Sequence, residues 1–268
     1  MNDTQNSISN GARNRASNRA GNRTGLILIG IGLLLAGAAG GWFWQTIAGG
    51  GAAASLAKGD RAAIEQVVRD YILANPEILP EAMENLQKKE KAKQLAGVGN
   101  ALEKPFPGAV LGNPDGDVVL VTFTDYGCTY CRQSVADVEA LVRDNPDLKV
   151  VVRELPILSP ESGDAARWGL AAARQGRYSA FHHAMFAAGR PDAATIEAAA
   201  KVAGLDLGRA RKELADRAIE AEINRNLEMA RSLGFNGTPS WAIGEELLSG
   251  AVGREVLQKA VDTARDAA

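Results

Sequence analysis

The chain contains two cysteines, Cys128 and Cys131, and they stand in C-x-x-C spacing. The motif follows an apolar, β-branched run that predicts a buried strand, and from Cys131 onward apolar residues recur at helical spacing. Cys128 is therefore expected where a strand gives way to a helix. Such a turn exposes the first sulfur and places the second one turn further in, where it is less exposed.

This position favours thiol redox chemistry. A thiolate is the attacking species, and the unpaired amides of a helix N-terminus stabilise it, so Cys128 is predicted to be the nucleophile and Cys131 the resolving thiol. A helix terminus contributes only about 0.3 to 1 kcal/mol, against about 1.36 kcal/mol for one pKa unit. A larger shift needs hydrogen bonds from the amides and thiol of Thr129, Tyr130 and Cys131. We expect a lowered but not extreme pKa, with Thr129 and Tyr130 as the tuning pair.

Two structural roles for the cysteine pair compete with redox activity. One is a static disulfide, but a four-residue loop constrains the unfolded chain little. The other is half of a zinc site, which needs two further ligands. There is no second C-x-x-C, and the two histidines, His182 and His183, are adjacent. Neighbours on a helix point about 100° apart, so we expect packing or surface roles for them and predict no metal site and no cofactor.

Composition limits the partners. With 268 residues and 46% apolar content, the chain can build one sizeable core, and its net charge is −2. Such a balance gives no electrostatic footprint for nucleic acid. No nucleic-acid partner is expected.

The N-terminal part predicts a membrane anchor. Residues 1–24 are polar and are expected to form a disordered cytoplasmic tail. Residues 25–44 carry no charged side chain, and about 20 apolar residues suffice to cross a bilayer as a helix. Because four arginines precede this run, the remainder is expected outside the cytoplasm, in a single-pass protein of the inner membrane. The alternative is a cleaved signal peptide, which puts the domain in the same periplasmic or extracytoplasmic compartment.

A linker and a helical extension follow. Residues 45–56 are rich in glycine and alanine and predict a flexible spacer. Within residues 57–100, apolar side chains recur at helical spacing, and Pro76 and Pro80 divide the pattern into two short helices. The apolar stripe either associates with other copies, giving a homo-oligomer, or packs back on its own domain. Both alternatives stay open.

Residues 105–268 predict one α/β domain. A turn at Asn113–Gly116 predicts a hairpin that leads into the strand Val118–Phe123. A second strand, Leu148–Leu155, should be parallel to it because a long helix lies between them. Residues from about 157 to 233 predict helices only, the last of them Leu207–Leu233. A hairpin and a C-terminal helix close the chain.

Four stretches of this domain resemble the DsbA-like branch of the thioredoxin superfamily: FTDYGCTYC, RELPILSPES, AARQGRYSAFHHAMF and NGTPSWAIG. The earlier stretch YILANPEILPEAMENLQ is similar to the N-terminal helical extension of members related to ScsC and Com1 proteins. The resemblance implies a thioredoxin-like fold with an all-helical insertion, preceded here by the transmembrane helix and the short helical extension.

The resemblance also implies roles for particular residues. Cys128 would be the nucleophile and Cys131 the resolving thiol, with Thr238 and Pro239 forming the cis-proline loop that binds substrate. Thr238 would offer its backbone to an extended client peptide. Only about 5 to 6% of X-Pro bonds are cis, so without the resemblance a trans bond would be predicted before Pro239.

The chain departs from the family pattern at one position. Family members often carry a buried glutamate six residues before the first cysteine, where it helps proton transfer to the resolving thiol, and this chain has Thr122 there. Asp125 is nearer the motif but has the opposite strand parity, so it is not assigned that role. Glu154, at the end of the second strand, is expected to cap or to pair with a local arginine. The proton route stays open.

The sequence therefore predicts a protein-disulfide oxidoreductase or isomerase. Its partners would be unfolded or misoxidised secreted proteins and a membrane protein that recycles the cysteine pair. The alternative is a chaperone or copper-binding thiol module without catalytic turnover. The sequence leaves oxidase, isomerase and reductase roles undecided.

Overall fold

The computed structural model describes residues 58–267, which fall into two compact units. The first unit ends at Leu79 and the second begins at Pro80. The predicted tail, membrane anchor and linker, residues 1–24, 25–44 and 45–56, lie outside the described residues. None of the helices between residues 58 and 267 is long and apolar enough to span a membrane.

Two helices occupy the extension. Helix α1 is Lys58–Ala74 and α2 is Ile78–Val98, followed by a short 3₁₀ helix at Gly99–Ala101. Pro80 lies in the first turn of α2, where the missing amide costs nothing because first-turn amides have no helical partner. Helix α2 runs five residues beyond the charged stretch that ends at Lys93.

The second unit contains a five-stranded sheet with the order β1-β3-β2-β4-β5. Strands β2 and β3 are parallel, and β1, β4 and β5 each pair antiparallel with their neighbour. Helix α3, Thr129–Asp144, makes the crossover between β2 and β3, as predicted. The strands are Val110–Gly112 (β1), Val118–Thr124 (β2), Leu148–Glu154 (β3), Ser240–Ile243 (β4) and Glu246–Ser249 (β5).

The predicted hairpin between β1 and β2 is wrong. The turn itself forms, since the Asp115 amide donates to Asn113 Oδ1 at 3.0 Å. However, β1 pairs with β3, with Val110 opposite Val151, so β3 lies between β1 and β2. Strand β2 is buried along almost its whole length and takes the centre of the sheet between β3 and β4. Turn chemistry fixes the local reversal but not the partner strand.

Five helices and no strand lie between β3 and β4, a segment that the structure describes throughout. The single helix predicted at Leu207–Leu233 is wrong, because it is broken before Asp216. The Asp216 carboxylate accepts a hydrogen bond from the Ala218 amide at 2.8 Å and starts a new helix. The helices are Pro160–Arg174 (α4), Tyr178–Ala188 (α5), Ala193–Val202 (α6), Leu207–Glu213 (α7) and Arg217–Ser232 (α8), and α9 is Arg254–Ala267 after β5.

The sheet has a hydrophobic core on each face. Leu120 and Val150 belong to the larger core, which also holds both cysteines and the apolar sides of α4, α5 and α6. Phe123 and Val151 belong to the smaller core on the other face, against which Leu95 of α2 packs. Successive side chains of β2 and β3 point to opposite faces of the sheet, so only every second one lies on the side of the cysteines.

Candidate active site

Cys128 is the N-cap residue of α3. Its backbone is extended, at φ −86° and ψ 119°, and its Sγ accepts a hydrogen bond from the Cys131 amide at 3.3 Å. A sulfur in this position meets the free amides of the first helical turn. The predicted strand-to-helix placement of the motif is confirmed.

The pKa values of the two thiols are shifted in opposite directions. A hydrogen bond from the Cys131 thiol is the main cause that lowers the pKa of Cys128 to about 5, with help from the backbone amides of Cys131 and Tyr130. Burial raises the pKa of Cys131 well above that of a free thiol. The lowering at Cys128 exceeds the modest shift expected of a helix terminus alone, because a second thiol donates directly to the sulfur.

The first sulfur is less accessible than the sequence predicts. The exposed fraction is 6% for Cys128 and 3% for Cys131, so the order is as expected but both residues are buried. The carbonyl oxygen of Thr238 lies 3.2 Å from Cys128 Sγ and covers it from one side. Tyr130, in contrast, is 62% exposed. Attack on a client must therefore begin from a shielded sulfur beside an exposed aromatic ring.

The Thr238–Pro239 peptide bond is cis. The contact between Cys128 Sγ and the Thr238 carbonyl is a hydrogen bond only while the sulfur carries its proton, since a thiolate cannot donate. The Thr238 hydroxyl is buried and has no hydrogen-bond partner among the described residues, so it can turn its proton toward the thiolate. That Thr238 and Pro239 bind substrate remains a prediction.

A small cavity of about 20 Å³ lies beside Cys131. Residues of β2, α3, α5 and β4 line it, including Thr122, Thr124, His182 and Trp241. Thr122 is 5% exposed and contributes no ionisable group. The position of the family glutamate thus faces the resolving cysteine but cannot exchange a proton with it.

Asp125 has a structural role. Its Oδ1 accepts the Gly127 amide at 2.7 Å, and its Oδ2 accepts the amides of Ile157 and Leu158 at 2.8 and 3.0 Å. One carboxylate therefore ties the loop before Cys128 to the loop after β3. Its hydrogen bonds within residues 58–267 are to backbone amides, which fits a structural role rather than that of the family's glutamate.

Within residues 58–267 the Glu154 carboxylate neither caps a helix nor pairs with an arginine, so that expectation is wrong. It is fully buried, and its Oε1 accepts hydrogen bonds from Tyr126 at 3.0 Å and Tyr178 at 2.7 Å. Desolvation raises its pKa to about 8, although the two tyrosines favour the charged form. The sequence shows Tyr126 within the motif and Glu154 at a strand end, but nothing in their spacing indicates that they meet.

The local arginine faces the other side of the sheet. Arg153 Nη1 donates to Glu222 Oε1 at 2.7 Å, and its Nη2 donates to three backbone carbonyls between Ala101 and Lys104. This buried ion pair connects β3 with α8 and with the chain that follows α2.

The adjacent histidines differ in their surroundings. His182 is 5% exposed and packs edge-on against Tyr126 and Phe186. Burial lowers its pKa to about 3, so its ring is neutral at physiological pH. His183 lies nearer the surface, with Nε2 at 2.9 Å from Glu139 Oε1. Residues 58–267 hold no group of three or more side chains placed to bind a metal ion.

Two family models match the chain. The model described as thioredoxin covers residues 106–263, and the model described as copper resistance protein ScsC N-terminal domain covers residues 60–93. Curated relatives include the Na⁺/H⁺ antiporters NhaA from Salinispora arenicola, at 29% identity, and Salinispora tropica, at 31% identity. They match 65% and 58% of this chain, which spans about a quarter of their length (28% and 24%).

Solved structures agree with these matches. A thioredoxin-like oxidoreductase from Silicibacter pomeroyi is 43% identical over 59% of this chain and 92% of its own, with a TM-score of 0.57. A linker-deletion mutant of Proteus mirabilis ScsC is 30% identical over 81% of this chain and all of its own (100%), with a TM-score of 0.64. The thiol-disulfide exchange protein α-DsbA2 from Wolbachia pipientis is 30% identical over 68% of this chain and 97% of its own, with a TM-score of 0.60. The chain belongs to the thioredoxin superfamily, among its DsbA-like and ScsC-like members.

Proposed function

We propose that this protein forms or isomerises disulfide bonds in secreted proteins, outside the cytoplasm, through Cys128 and Cys131. The observation that carries the proposal is the pair itself. The Cys131 thiol and amide stabilise the Cys128 thiolate, and the Thr238 carbonyl lies 3.2 Å from that sulfur. Stabilising the thiolate stabilises the reduced pair, which makes the disulfide an oxidant.

The chemistry is thiol-disulfide exchange in two steps. The Cys128 thiolate attacks a client disulfide and forms a mixed disulfide, and one client sulfur leaves as a thiolate. Cys131 then attacks Cys128 Sγ and releases the other client sulfur, or a second client thiol does so and completes an isomerisation. Oxidation of a dithiol client is the reverse sequence, beginning from the Cys128–Cys131 disulfide.

The surface around the motif supports clients that are not yet folded. Tyr130, Ile157 and Leu158 are 62%, 42% and 55% exposed. Tyr130 lies in the first turn of α3, and Ile157 and Leu158 lie in the loop that Asp125 ties to the loop before Cys128. Unfolded chains present apolar side chains and free backbone groups. The exposed apolar side chains would contact the former, and the backbone of Thr238 would pair with the latter.

The setting and the partners rest on the N-terminal sequence. The apolar run at residues 25–44 supports a single-pass inner-membrane anchor with the domain on the periplasmic or extracytoplasmic side. A membrane redox protein would restore the pair after each cycle. Self-association through the helical extension would present several cysteine pairs to one client, which favours isomerisation.

The test is the reduction potential of the cysteine pair, combined with turnover. The full-length protein is equilibrated in glutathione buffers, and its oxidase and isomerase activities are measured on reduced and scrambled ribonuclease. We expect a potential above that of glutathione, turnover by the wild type and none by Cys128→Ala. Cys131→Ala separates the activities, because isomerisation can proceed without a resolving thiol. Full turnover by Cys128→Ala would exclude the proposal.

A second function is supported by one observation, the match of residues 60–93 to the N-terminal domain of copper resistance protein ScsC. The two thiols are in contact and could together bind Cu(I), for which thiolates are preferred ligands. Titration of the reduced protein with Cu(I) against a competing chelator tests this function. Tight binding by the cysteine pair, together with no turnover on scrambled ribonuclease, would favour it over exchange.

A further inference from the structure

The exchange chemistry leaves one proton without an assigned partner. Cys131 must lose its proton before it can resolve a mixed disulfide, and it must regain one when the Cys128–Cys131 disulfide is opened. Burial disfavours its thiolate. The residue at the family's glutamate position, Thr122, cannot take up this proton at neutral pH.

Glu154 lies on the same face of the sheet as Cys131. In the parallel pair, Thr124 and Glu154 are register partners, so their side chains project from one face. Their neighbours two residues earlier on that face, Thr122 and Val152, also lie toward the larger core, which holds Cys131. The Thr124 hydroxyl contacts the Cys131 sulfur. Glu154 therefore lies on the strand next to Thr124, whose side chain contacts the resolving thiol.

A chain of polar groups connects the two sites. Tyr126 donates to Glu154 Oε1 at 3.0 Å, and the same hydroxyl lies 3.5 Å from His182 Nδ1. His182 and Cys131 both line the cavity of about 20 Å³. A buried cavity needs roughly 10 to 15 Å³ to hold one water molecule, so the cavity has room for one between them.

The residues around Glu154 leave room for its carboxyl group. A Cβ at position 169 would lie 2.9 Å from Glu154 Oε1 and 3.1 Å from the Tyr126 hydroxyl, so Gly169 leaves the room that the cluster occupies. Oε2 is buried and has no hydrogen-bond partner within residues 58–267, which favours the neutral carboxyl group over the charged one, while Oε1 is the oxygen that Tyr126 reaches. In the described part of the chain the group is neither paired as a salt bridge nor needed to cap a helix.

We propose that Glu154, acting through Tyr126 and His182, exchanges the proton of the Cys131 thiol during resolution, an inference that rests on the proposed exchange function. Four ionisable side chains face this carboxylate or lie near it. Tyr126 comes from the loop after β2, and Tyr178 and His182 come from α5. Asp125 adds a nearby negative charge, and Asn226 of α8 donates to the backbone carbonyl of Glu154 rather than to its carboxylate.

Resolution moves one proton from Cys131 to Glu154. The Cys131 proton crosses the cavity to one nitrogen of His182 while the other nitrogen releases a proton to Tyr126. Tyr126 passes its own hydroxyl proton to Glu154, and the carboxylate becomes a carboxylic acid. The Cys131 thiolate then attacks Cys128 Sγ, the bond from Cys128 to the client sulfur breaks, and the client leaves as a thiolate with the electron pair. The reverse sequence returns the proton to Cys131.

The acidity of Glu154 suits this exchange. Its pKa of about 8 means that it is mainly protonated at pH 7 and mainly ionised above pH 8. It can therefore donate when the protein acts as an oxidant, and it accepts more readily as the pH rises. Resolution of a mixed disulfide should accelerate with pH and level off above a midpoint near pH 8.

The experiment separates attack from resolution. The reduced full-length protein is mixed in a stopped-flow instrument with a fluorescently labelled peptide disulfide, between pH 6 and pH 10. A concentration-dependent phase reports attack by Cys128, and a first-order phase reports resolution by Cys131. In Glu154→Gln we expect an unchanged first phase and a resolution phase slowed about 10²-fold, the lower end for general acid-base catalysis, with the midpoint lost. Glu154→Asp should restore part of the rate.

Two tyrosine variants form the matched control. Tyr126→Phe and Tyr178→Phe each remove one hydroxyl from the same carboxylate oxygen. Both rings pack near the His182 ring, but only the Tyr126 hydroxyl is within hydrogen-bond distance of a His182 nitrogen, at 3.5 Å from Nδ1. Tyr126→Phe should slow resolution at least tenfold. Tyr178→Phe should keep the maximal rate and move the midpoint upward, because the lost hydrogen bond favours the ionised form.

The outcomes are distinct. A wild-type pH profile in Glu154→Gln, or equal slowing by the two tyrosine variants, would overturn the relay and leave the exchange function intact. Absence of both phases in the wild type would reject the exchange function itself. Should Glu154→Gln not fold, the comparison of the two tyrosine variants decides the matter.

Discussion

At the scale of single residues, the two sulfurs set each other's acidity. The Cys131 thiol keeps its proton because it is buried, and that proton is then available as a hydrogen bond to Cys128. The same bond that lowers the pKa of Cys128 makes Cys131 harder to ionise. The motif thus divides one pair of thiols into an attacking group and a proton-holding group.

This coupling predicts that Cys131→Ala raises the pKa of Cys128 from about 5 by at least about one unit, because its largest stabilising hydrogen bond is lost. The thiolate absorbance of the reduced protein near 240 nm, followed against pH, measures the shift. At pH 6 the variant should also react more slowly with iodoacetamide, since the thiolate is the reactive form.

Cys131→Ser is the matched control, because the serine hydroxyl can still donate to the Cys128 sulfur. Its midpoint should lie between those of the wild type and the alanine variant. A wild-type midpoint in Cys131→Ala would show instead that the backbone amides of α3 account for the lowered pKa.

The site residues that the sequence predicts are close together in the chain, and those that it misses are far apart in it. Cys128 and Cys131 are separated by one helical turn, so spacing alone predicts their contact. Glu154 meets Tyr126 across 28 residues and Tyr178 across 24. No local pattern marks such a pair, since it depends on how β2, β3 and α5 pack together.

At the scale of elements, Asp125 joins the loop before Cys128 to the loop after β3. Its carboxylate accepts three backbone amides, those of Gly127, Ile157 and Leu158. Asp125→Ala would leave these amides without their partner, at a cost of about 1 to 3 kcal/mol for each one that water cannot reach. We expect a loss of about 3 kcal/mol in the free energy of unfolding, measured by urea denaturation.

Asp115→Ala is the control for this prediction. Asp115 lies in the exposed turn before β2, where its backbone amide, rather than its carboxylate, bonds to Asn113. That substitution should change the free energy of unfolding by less than about 0.5 kcal/mol. Similar losses in the two variants would mean that the Asp125 contacts do not stabilise the loops.

The elements also show where sequence patterns stop being sufficient. The parallel pairing of β2 and β3 follows from the length of the helix between them and was predictable. The pairing of β1 with β3 was not predictable, because the turn at residues 113–116 allows β1 to pair with either β2 or β3. The break before Asp216 carried a signal, an aspartate at an N-cap, but the apolar pattern on both sides concealed it.

At the scale of the whole molecule, the helical extension leaves apolar surface exposed in the described part of the first unit. Ile64, Val68 and Tyr71 recur at helical spacing on α1 and are 48%, 51% and 60% exposed. A solvated helix gains nothing from such a stripe, whereas burial of one valine or isoleucine stabilises an interface by about 1.5 to 3 kcal/mol. Self-association through this stripe is therefore the expected use.

Val68→Glu should weaken that association, because it replaces a buried apolar side chain with a charge. The expected effect is a dissociation constant at least about tenfold higher, the equivalent of about 1.4 kcal/mol, measured by sedimentation velocity across a concentration series. Gln66→Glu adds the same charge on the opposite side of α1 and should leave the constant unchanged. The pKa of Cys128 should be the same in both variants, since the pair is in the second unit. If the wild type sediments as a monomer at every concentration, or if both variants weaken association equally, the stripe does not join copies of this chain.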